Sequence, residues 1–291
     1  MAKEGVFERI LITGAGGLLG GSMAELLKRQ GRSFVALDHR SCDITQPGDL
    51  ERAFERHRPT LVLNCAAHAK VDRCEREPKQ ARAVNAQAVG SLAELAARFG
   101  VFLVHFSTDF VFDGRADKPY RPDDLANPLS VYGRTKLEGE RLLGRSRLDR
   151  WLIVRTSGLF GRHGACFVAT ILAKAKAGRT IHVVNDQVTQ PTYADDLSDA
   201  TLRLTGLGKT GVWHLANVGP TDWHNFALSI LHEYGIKADL RAVTTERWRQ
   251  MRKDQAIRPF RSVLDCATSF EALGLPMRTW HEAIKDYRTL S

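Results

Sequence analysis

The stretch Arg9-Ile-Leu-Ile-Thr-Gly-Ala-Gly-Gly-Leu-Leu-Gly20 joins a short apolar run to a glycine-rich turn. Apolar residues then recur at helical spacing over residues 18–30, and Gly31 ends the pattern. Glycines let the backbone turn sharply and approach a bound group, and the amino end of the following helix attracts phosphate. The stretch therefore predicts a strand, a turn and a helix that bind the pyrophosphate of a dinucleotide through Gly14, Gly16, Gly17, Leu18 and Leu19.

The same alternation of apolar runs and helical patterns continues through the first half of the chain. Strands are predicted at residues 9–13, 33–38, 60–66, 101–108 and 151–157, and helices at 47–57, 78–99 and 132–143. Strands that are apolar throughout are typical of a parallel sheet with helices on both faces. The predicted fold class is therefore α/β, a doubly wound parallel sheet of the Rossmann type.

The pattern is less regular beyond Gly158. It predicts helices at residues 165–177, 193–204, 222–234 and 279–290, and a strand at 211–216. We expect a dinucleotide-binding domain with the catalytic helix over residues 1–158. Residues 159–291 are expected to form a smaller, mainly substrate-binding lobe that is interleaved with the first domain.

The overall composition narrows the class of protein. The chain has 291 residues, a formal net charge of +9 and five scattered cysteines. Its basic residues form no long run, which favours a solvated surface or an anionic substrate over nucleic acid. No stretch approaches the roughly 20 apolar residues of a membrane helix, and the first residues lack the apolar core of a signal peptide. We expect a cytoplasmic protein that binds no metal, membrane or nucleic acid.

Two residues near the end of the second predicted strand bear on the choice of dinucleotide. Asp38 ends that strand, where a carboxylate accepts hydrogen bonds from the adenosine ribose and favours NAD. Arg40 follows two residues later and could instead hold a 2′-phosphate. The sequence therefore predicts NADH or NADPH and leaves the preference open.

Four further residues are predicted to line the same cofactor site. Asp43 and Ile44 would flank the adenine, although Asp43 could equally serve as a turn or cap residue. Ala66 and Ala67 follow the third strand and are small enough to let the backbone lie along the cofactor. All of these positions should border one crevice, because ligands of such sheets lie outside the carboxyl ends of the strands.

Tyr132 and Lys136 are four residues apart on one predicted helix face. A tyrosine can protonate the alkoxide that forms when hydride reduces a ketone, and a nearby ammonium would lower the phenol pKa toward the working range. Thr108, at the carboxyl end of its strand, is expected to orient the carbonyl oxygen, whereas Ser107 should point to the opposite side. The pattern predicts Thr108, Tyr132 and Lys136 as catalytic residues.

Several stretches in order along the chain resemble the dTDP-4-dehydrorhamnose reductase family of extended short-chain dehydrogenases/reductases. They are Asn64-Cys-Ala-Ala-His-Ala-Lys-Val-Asp72 with Glu75, Phe106-Ser-Thr-Asp-Phe-Val-Phe-Asp-Gly114, Asn127-Pro-Leu-Ser-Val-Tyr-Gly-Arg-Thr-Lys-Leu-Glu-Gly-Glu140, Arg155-Thr-Ser157, Val184-Asn-Asp-Gln187 with Pro191-Thr192, and Arg258-Pro-Phe-Arg-Ser-Val-Leu-Asp265.

The resemblance implies NAD(P)H-dependent reduction of the 4-keto group of dTDP-4-dehydro-L-rhamnose. It implies the same catalytic set, with Lys136 also holding the nicotinamide ribose together with Tyr132. Val71, Thr108, Asp109 and Arg258 would contact the nucleotide-sugar substrate. A homodimer is also expected from the fold group.

The chain departs from the family pattern at two positions. Gly158 stands where the family usually has a tryptophan at the substrate pocket, which predicts a wider pocket and leaves the exact sugar open. Ser22 stands where some members have a metal-binding carboxylate, so no metal is expected.

Two other functions are compatible with the same motifs. One is a non-catalytic regulatory subunit, since the beta subunit of methionine adenosyltransferase resembles this group. The other is a nucleotide-sugar epimerase or dehydratase, for which Asp109 would provide a carboxylate beside Thr108.

Overall fold

A computed structural model describes residues 7–252 and 255–290. The strands are β1 (Ile10–Thr13), β2 (Phe34–Leu37), β3 (Leu61–Asn64), β4 (Phe102–Thr108), β5 (Trp151–Thr156), β6 (Leu159–Phe160), β7 (Ile181–Val184), β8 (Val188–Thr189), β9 (Thr192–Tyr193), β10 (Gly211–His214), β11 (Thr221–Asp222) and β12 (Leu240–Val243). The helices are α1 (Leu18–Arg29), α2 (Pro47–His57), α3 (Val71–Arg76), α4 (Pro78–Arg82), α5 (Ala88–Phe99), α6 (Val131–Gly144), α7 (Phe167–Lys176), α8 (Ala194–Gly206), α9 (Trp223–Glu233), α10 (Thr245–Met251), α11 (Ala267–Leu273) and α12 (Trp280–Leu290).

The central sheet has six parallel strands in the order β10-β5-β4-β3-β1-β2. Strands β1, β3 and β4 are buried along their whole length, and apolar clusters from helices cover both faces of the sheet. The predicted doubly wound fold is confirmed. Strand β10 comes from the second half of the chain and pairs with β5, while α8 packs against α1, so the two halves of the chain interleave.

The second half also builds small sheets of its own. Strands β7 and β12 pair in parallel, as do β6 and β9, whereas β8 and β11 are antiparallel. These strands were not predicted, because runs of two to four residues carry too little periodicity to be distinguished from loops. Helices α7, α9 and α12 of this half pack around a separate cluster that includes Phe160, Tyr193 and Phe226.

The predicted single helix over residues 78–99 is divided in the structure. A π-helical turn, Ala83–Gln87, separates α4 from α5. Such turns widen the helix locally and often occur at functional sites. This one aims the buried Asn85 at the loop before α3, where its amide oxygen accepts from His68 N at 2.9 Å. The Asn85 amide nitrogen also donates to Thr135 Oγ1 of α6 at 3.1 Å.

Within the described ranges, no helix is long and apolar enough to cross a membrane.

Candidate active site

The glycine-rich turn after β1 lies against the end of β3. Gly14 has φ +68°, and a Cβ there would come within 2.6 Å of the Ala66 backbone. Only glycine allows both this conformation and this approach. A Cβ on Gly20 would also collide with the Gly14 carbonyl oxygen, so Gly20 lets α1 start directly behind the turn.

A cavity of about 440 Å³ extends from this turn along the carboxyl ends of the strands. It brings together most of the predicted cofactor residues: Gly14, Gly16, Gly17, Asp38, Arg40, Asp43, Ile44, Ala66 and Ala67. His39, Cys42, Cys65, His68, Gln80 and Val84 complete the wall and were not predicted. His39, Cys65 and His68 could have been found, since they neighbour predicted residues at the strand ends. Gln80 and Val84 come from the helical segment after α3 and carry no such signal.

Leu18 and Leu19 do not line this cavity. The Leu19 side chain lies in the core beneath α1. Leu18 packs against Gly161, where an added Cβ would come within 3.1 Å of its side chain. Any contact of these two residues with a dinucleotide would therefore come from the backbone at the start of α1.

The Asp38 carboxylate is occupied by its own turn. Its Oδ1 accepts from Ser41 Oγ at 2.7 Å, from Ser41 N at 2.9 Å and from Arg40 N at 3.1 Å. These bonds, first of all the one from the Ser41 hydroxyl, lower the pKa of Asp38. The exposed Arg40 stands at the same edge of the cavity, next to His39, and gives that edge a positive charge.

Asp43 also has a local structural role. Its Oδ1 accepts from Thr45 Oγ1 at 2.8 Å and from Thr45 N at 3.0 Å, which forms a turn before α2. The turn role is therefore present in the structure, and Asp43 also lines the cavity, whereas its contact with adenine stays a prediction.

Helix α6 brings Tyr132, Lys136 and Glu140 to one face, as their spacing predicts. Ser130 starts the helix, its hydroxyl accepting from Gly133 N at 3.1 Å. A Cβ on Gly133 would strike the Phe110 carbonyl oxygen, so this glycine allows the helix to lie close to the end of β4.

Thr108 lies at the carboxyl end of β4, beside Tyr132. Its Oγ1 accepts from Phe110 N at 3.1 Å and donates to Asp109 Oδ1 at 3.0 Å. Ser107 instead donates to Glu140, so Thr108 is the hydroxyl that remains at the strand end. Burial raises the pKa of the Tyr132 phenol, although a hydrogen bond with Thr108 opposes this shift.

Lys136 is almost fully buried, and its terminal nitrogen is engaged from below the site. Nζ donates to the Phe106 carbonyl oxygen at 2.6 Å and lies 3.1 Å from His105 Nε2. Burial lowers the pKa of Lys136 to about 8. We expected Lys136 to lower the pKa of Tyr132, and this expectation is wrong for the arrangement seen here, because desolvation of the phenol dominates.

Asp109 is a buried carboxyl group directly after Thr108. Its Oδ2 accepts from Ser157 Oγ at 2.9 Å and from Ser262 Oγ. Burial raises the pKa of Asp109 to about 6, against these hydrogen bonds. With its oxygens held by three hydroxyl groups, Asp109 orients Thr108 rather than pointing into open space.

A second cavity, of about 490 Å³, lies between the end of β4 and the second half of the chain. Phe110, whose ring meets the Tyr132 ring edge-on at 5.9 Å, connects this cavity to the catalytic residues. Its wall is rich in cations and aromatic rings: Lys174, Arg249, Arg252, Arg258, Phe167, Trp223 and Trp248. Asp72 is the single carboxylate among the described residues of this wall. The wall suits an anionic ligand with a planar ring.

The predicted substrate residues are distributed unequally around this cavity. Arg258 lines it, and Thr108 and Asp109 precede its Phe110 wall. Val71 begins α3, but it is the next residue, Asp72, that belongs to the wall. Most of the wall was missed because aromatic and basic residues on α7, α9 and α10 look like ordinary helix surfaces in the sequence.

Gly158 is not part of that wall. It has φ +55°, and a Cβ there would approach Gln190 O at 3.0 Å and Pro191 Cα at 3.1 Å. A side chain at this position would be strained and would press on the backbone after β8. The predicted widening of the substrate pocket therefore stays a prediction.

The whole chain matches one family model. The model is described as the RmlD substrate binding domain and matches residues 8–290. A dTDP-4-dehydrorhamnose reductase from Aggregatibacter actinomycetemcomitans is 36% identical, with 96% of this chain and 98% of that protein covered. The spore coat polysaccharide biosynthesis protein SpsK from Bacillus subtilis is also 36% identical, with 96% of each chain covered.

Solved structures agree with these relatives. The crystal structure of dTDP-4-dehydrorhamnose reductase from Bacillus anthracis in complex with NADP has a TM-score of 0.92 and 31% identity, and the match covers 98% of this chain and 100% of that one. A UDP-glucose 4-epimerase from Thermus thermophilus, 21% identical with a TM-score of 0.83, shares the fold. This chain therefore belongs to the dTDP-4-dehydrorhamnose reductase family.

Proposed function

We propose that this protein reduces the 4-keto group of a nucleotide-activated deoxysugar with NADPH or NADH, and that dTDP-4-dehydro-L-rhamnose is the substrate and dTDP-L-rhamnose the product. The observation that carries the proposal is that the catalytic helix adjoins the walls of two cavities: Lys136 interacts electrostatically with Cys65 of one wall, and the Tyr132 ring contacts Phe110 of the other. One cavity begins at the glycine turn, and the other is lined by cations and aromatic rings.

The first cavity suits a dinucleotide. Gly14, Gly16 and Gly17 line it without side chains, and Gly17 directly precedes α1, so the amino end of that helix lies at the cavity. Gly14, Gly16 and Gly17 would hold the pyrophosphate, Ile44 and Asp43 the adenine, and Ala66 and Ala67 the central part. When bound, the nicotinamide supplies a hydride to the carbonyl carbon.

The chemistry of Tyr132 suits the reductive direction. Because burial raises its pKa, the phenol is protonated at neutral pH and can donate that proton to the carbonyl oxygen. Asp109 and Phe110 N hold Thr108 in place, and its hydroxyl can orient the same oxygen once it turns its proton from Asp109 toward the substrate. Lys136 lies behind Tyr132 on the helix and would hold the ribose of the nicotinamide.

The second cavity suits a nucleoside diphosphate. Arg249, Arg252 and Arg258 offer guanidinium groups for the phosphates, and Trp223 and Trp248 offer faces for the base. The names of the two relatives in the dTDP-4-dehydrorhamnose reductase group support thymidine diphosphate as the carrier. We also propose a homodimer in the cytoplasm, which sedimentation analysis and cell fractionation would test.

The direct test is NADPH oxidation in the presence of dTDP-4-dehydro-L-rhamnose, measured as the loss of nicotinamide absorbance. Tyr132→Phe should lower kcat by at least about a hundredfold, the usual contribution of a general acid, while NADPH affinity stays near that of the parent. Tyr120→Phe is the matched control, because that phenol donates to Asp113 away from both cavities. Absence of turnover with every dTDP-4-keto sugar in a panel would reject the proposal.

A further inference from the structure

A continuous row of buried polar side chains leads from Lys136 into the central sheet. Lys136 Nζ lies 3.1 Å from His105 Nε2, His105 Nδ1 lies 3.0 Å from Asn64 Nδ2, and Thr13 Oγ1 donates to Asn64 Oδ1 at 2.8 Å. All four side chains are at most 2% exposed. They come from α6, β4, β3 and β1, so the row crosses three neighbouring strands.

The directions of these hydrogen bonds determine where each proton lies. Asn64 Nδ2 donates to His105 Nδ1, so the neutral imidazole carries its proton on Nε2. That proton points at Lys136 Nζ, which can accept it only as an uncharged amine. The amine still donates one of its own protons to the Phe106 carbonyl oxygen. This arrangement therefore fits a deprotonated Lys136.

A second arrangement of the same atoms fits the ammonium form. If the Asn64 amide is turned over, its oxygen accepts from His105 Nδ1–H, and its nitrogen donates to Thr13 Oγ1. His105 Nε2 then carries a lone pair and accepts from the Lys136 ammonium group. Each group keeps a partner in both arrangements, which matters because an unpaired polar group at this depth is costly.

We propose that His105 and Asn64 are positioning residues for Lys136 that exchange between these two hydrogen-bond arrangements as Lys136 gains or loses a proton. His105 changes its tautomer and not its charge. The consequence for the reaction rests on the proposed function, in which Lys136 holds the nicotinamide ribose behind Tyr132. The switch lets a buried lysine be stable in both charge states at one position.

The proton balance is one proton per switch. The ammonium form carries three protons on Lys136 Nζ and one on His105 Nδ1, whereas the amine form carries two on Nζ and one on His105 Nε2, so the pair loses one proton overall. The Asn64 amide turns over and the Thr13 hydroxyl rotates from acceptor to donor.

Of the ionisable groups named below, Lys136 is the one whose pKa lies near neutral pH. Burial and the neighbouring ammonium hold the pKa of His105 well below its usual value, and burial raises the pKa of the Cys65 thiol and of Tyr132, so all three stay uncharged. Glu140, on the same helix, is paired with Arg155 and favours the ammonium form.

The switch can be observed by 15N NMR of the protein without any ligand. Imidazole nitrogen shifts distinguish the Nδ1–H tautomer, the Nε2–H tautomer and the imidazolium ion. Between about pH 6 and pH 10, His105 should change from Nδ1–H to Nε2–H with a midpoint at the pKa of Lys136, near 8. A single tautomer across this range, or an imidazolium ion, would overturn the proposal.

Lys136→Met is the matched control for the NMR experiment. It keeps the apolar stem and removes the nitrogen, so His105 should keep one tautomer at every pH. A tautomer change that persists in this variant would show that Lys136 is not its cause. The titration of the parent protein decides the proposal by itself if the variant does not fold.

A kinetic experiment tests the role of His105 in the reaction. His105→Phe keeps a planar ring and removes both nitrogens. A hydrogen bond to a charged donor is stronger than one to a neutral group, so losing Nε2 should destabilise the ammonium and shift the Lys136 limb of the kcat/KM profile down by about one pH unit. NADPH affinity at pH 7 should change less than about threefold, because His105 lies outside the cofactor cavity. An unshifted profile would overturn the proposal. If the parent shows no turnover, the proposed function fails, and the NMR titration still decides this inference.

Discussion

Arg258 forms an ion pair with Asp72, with 2.8 Å between Nη2 and Oδ1, and the backbone N of Ala256 donates to the same oxygen at 3.1 Å. Asp72 belongs to α3, next to the cofactor cavity, whereas Arg258 follows α10. The pair therefore connects the two halves of the chain across the cavity lined by cations. It also holds the guanidinium group in place before a ligand binds.

Removing this guanidinium group should weaken binding of the nucleotide-sugar. We expect Arg258→Ala to raise the KM for the sugar substrate by about tenfold or more, the effect of one lost charge-assisted hydrogen bond, with a smaller change in kcat. Initial rates at varied substrate concentration would measure it. Arg241→Ala is the control, since Arg241 of β12 pairs with Asp239 just before that strand and lines neither cavity. Equal KM values for the two variants would contradict the assignment of this cavity to the substrate.

Arg40 should determine the preference for NADPH. The Asp38 carboxylate is engaged by Ser41 and by Arg40 N, so the exposed Arg40 side chain is the better group for a 2′-phosphate. Arg40→Ala is expected to raise the KM for NADPH about tenfold and to leave the KM for NADH nearly unchanged. Arg56→Ala, an exposed arginine on α2, should alter neither value. A parallel loss with both cofactors would argue against this role.

The buried ion pair between Glu140 and Arg155 should contribute strongly to stability. Arg155 Nη2 lies 2.7 Å from Glu140 Oε2, and both side chains are about 6% exposed or less. Glu140→Gln would leave a buried guanidinium charge without its partner, and we expect the free energy of unfolding to fall by about 3–5 kcal/mol. Urea denaturation would measure the change. Glu51→Gln, in the exposed pair with Arg98, should cost less than about 1 kcal/mol, and similar losses in both variants would refute the argument.

Asp109 should make stability depend on pH in an unusual direction. Its pKa is raised from 3.8 to about 6 in the folded protein, so the folded state binds the proton more tightly than the unfolded state. The favourable contribution is present below about pH 4 and is lost as pH rises through about 6. Asp109→Asn lacks this loss. The difference in the free energy of unfolding between Asp109→Asn and the parent should therefore be more favourable to the variant at pH 7 than at pH 4, by about 2–3 kcal/mol.

Asp113 provides a control of the opposite sign. Burial acts against its charged form, but hydrogen bonds from Tyr120 and Arg115 N lower its pKa overall. Its contribution to stability is present above its ordinary pKa of 3.8 and is lost as pH falls below that value, so Asp113→Asn should lose more relative to the parent at pH 7 than at about pH 3. Unfolding curves at pH 7, at pH 4 and at about pH 3 would check both signs, and equal behaviour of the two variants would contradict the account of Asp109.

Much of the site could be predicted because it lies at the ends of regular elements. The glycine turn, Asp38 and Ala66 each follow a strand, and the carboxyl ends of parallel strands meet at one edge of the sheet. Tyr132 and Lys136 could be placed by helical periodicity. The wall of the second cavity could not, because Trp223, Trp248 and Arg252 look like exposed or core positions until the chain folds.

The order of apolar runs, glycines and helical patterns by itself determined the doubly wound sheet, the cofactor crevice and the helix that carries Tyr132 and Lys136. These features follow from local periodicity, which backbone geometry imposes on every helix and strand. Only the tertiary structure decided how Lys136 is bonded, that Asp38 is held by its own turn, and that a π-helical turn aims Asn85 at His68. The partners of a buried polar group come from distant segments, and burial sets the pKa of Tyr132 and Lys136, so neither can be inferred from neighbours along the chain.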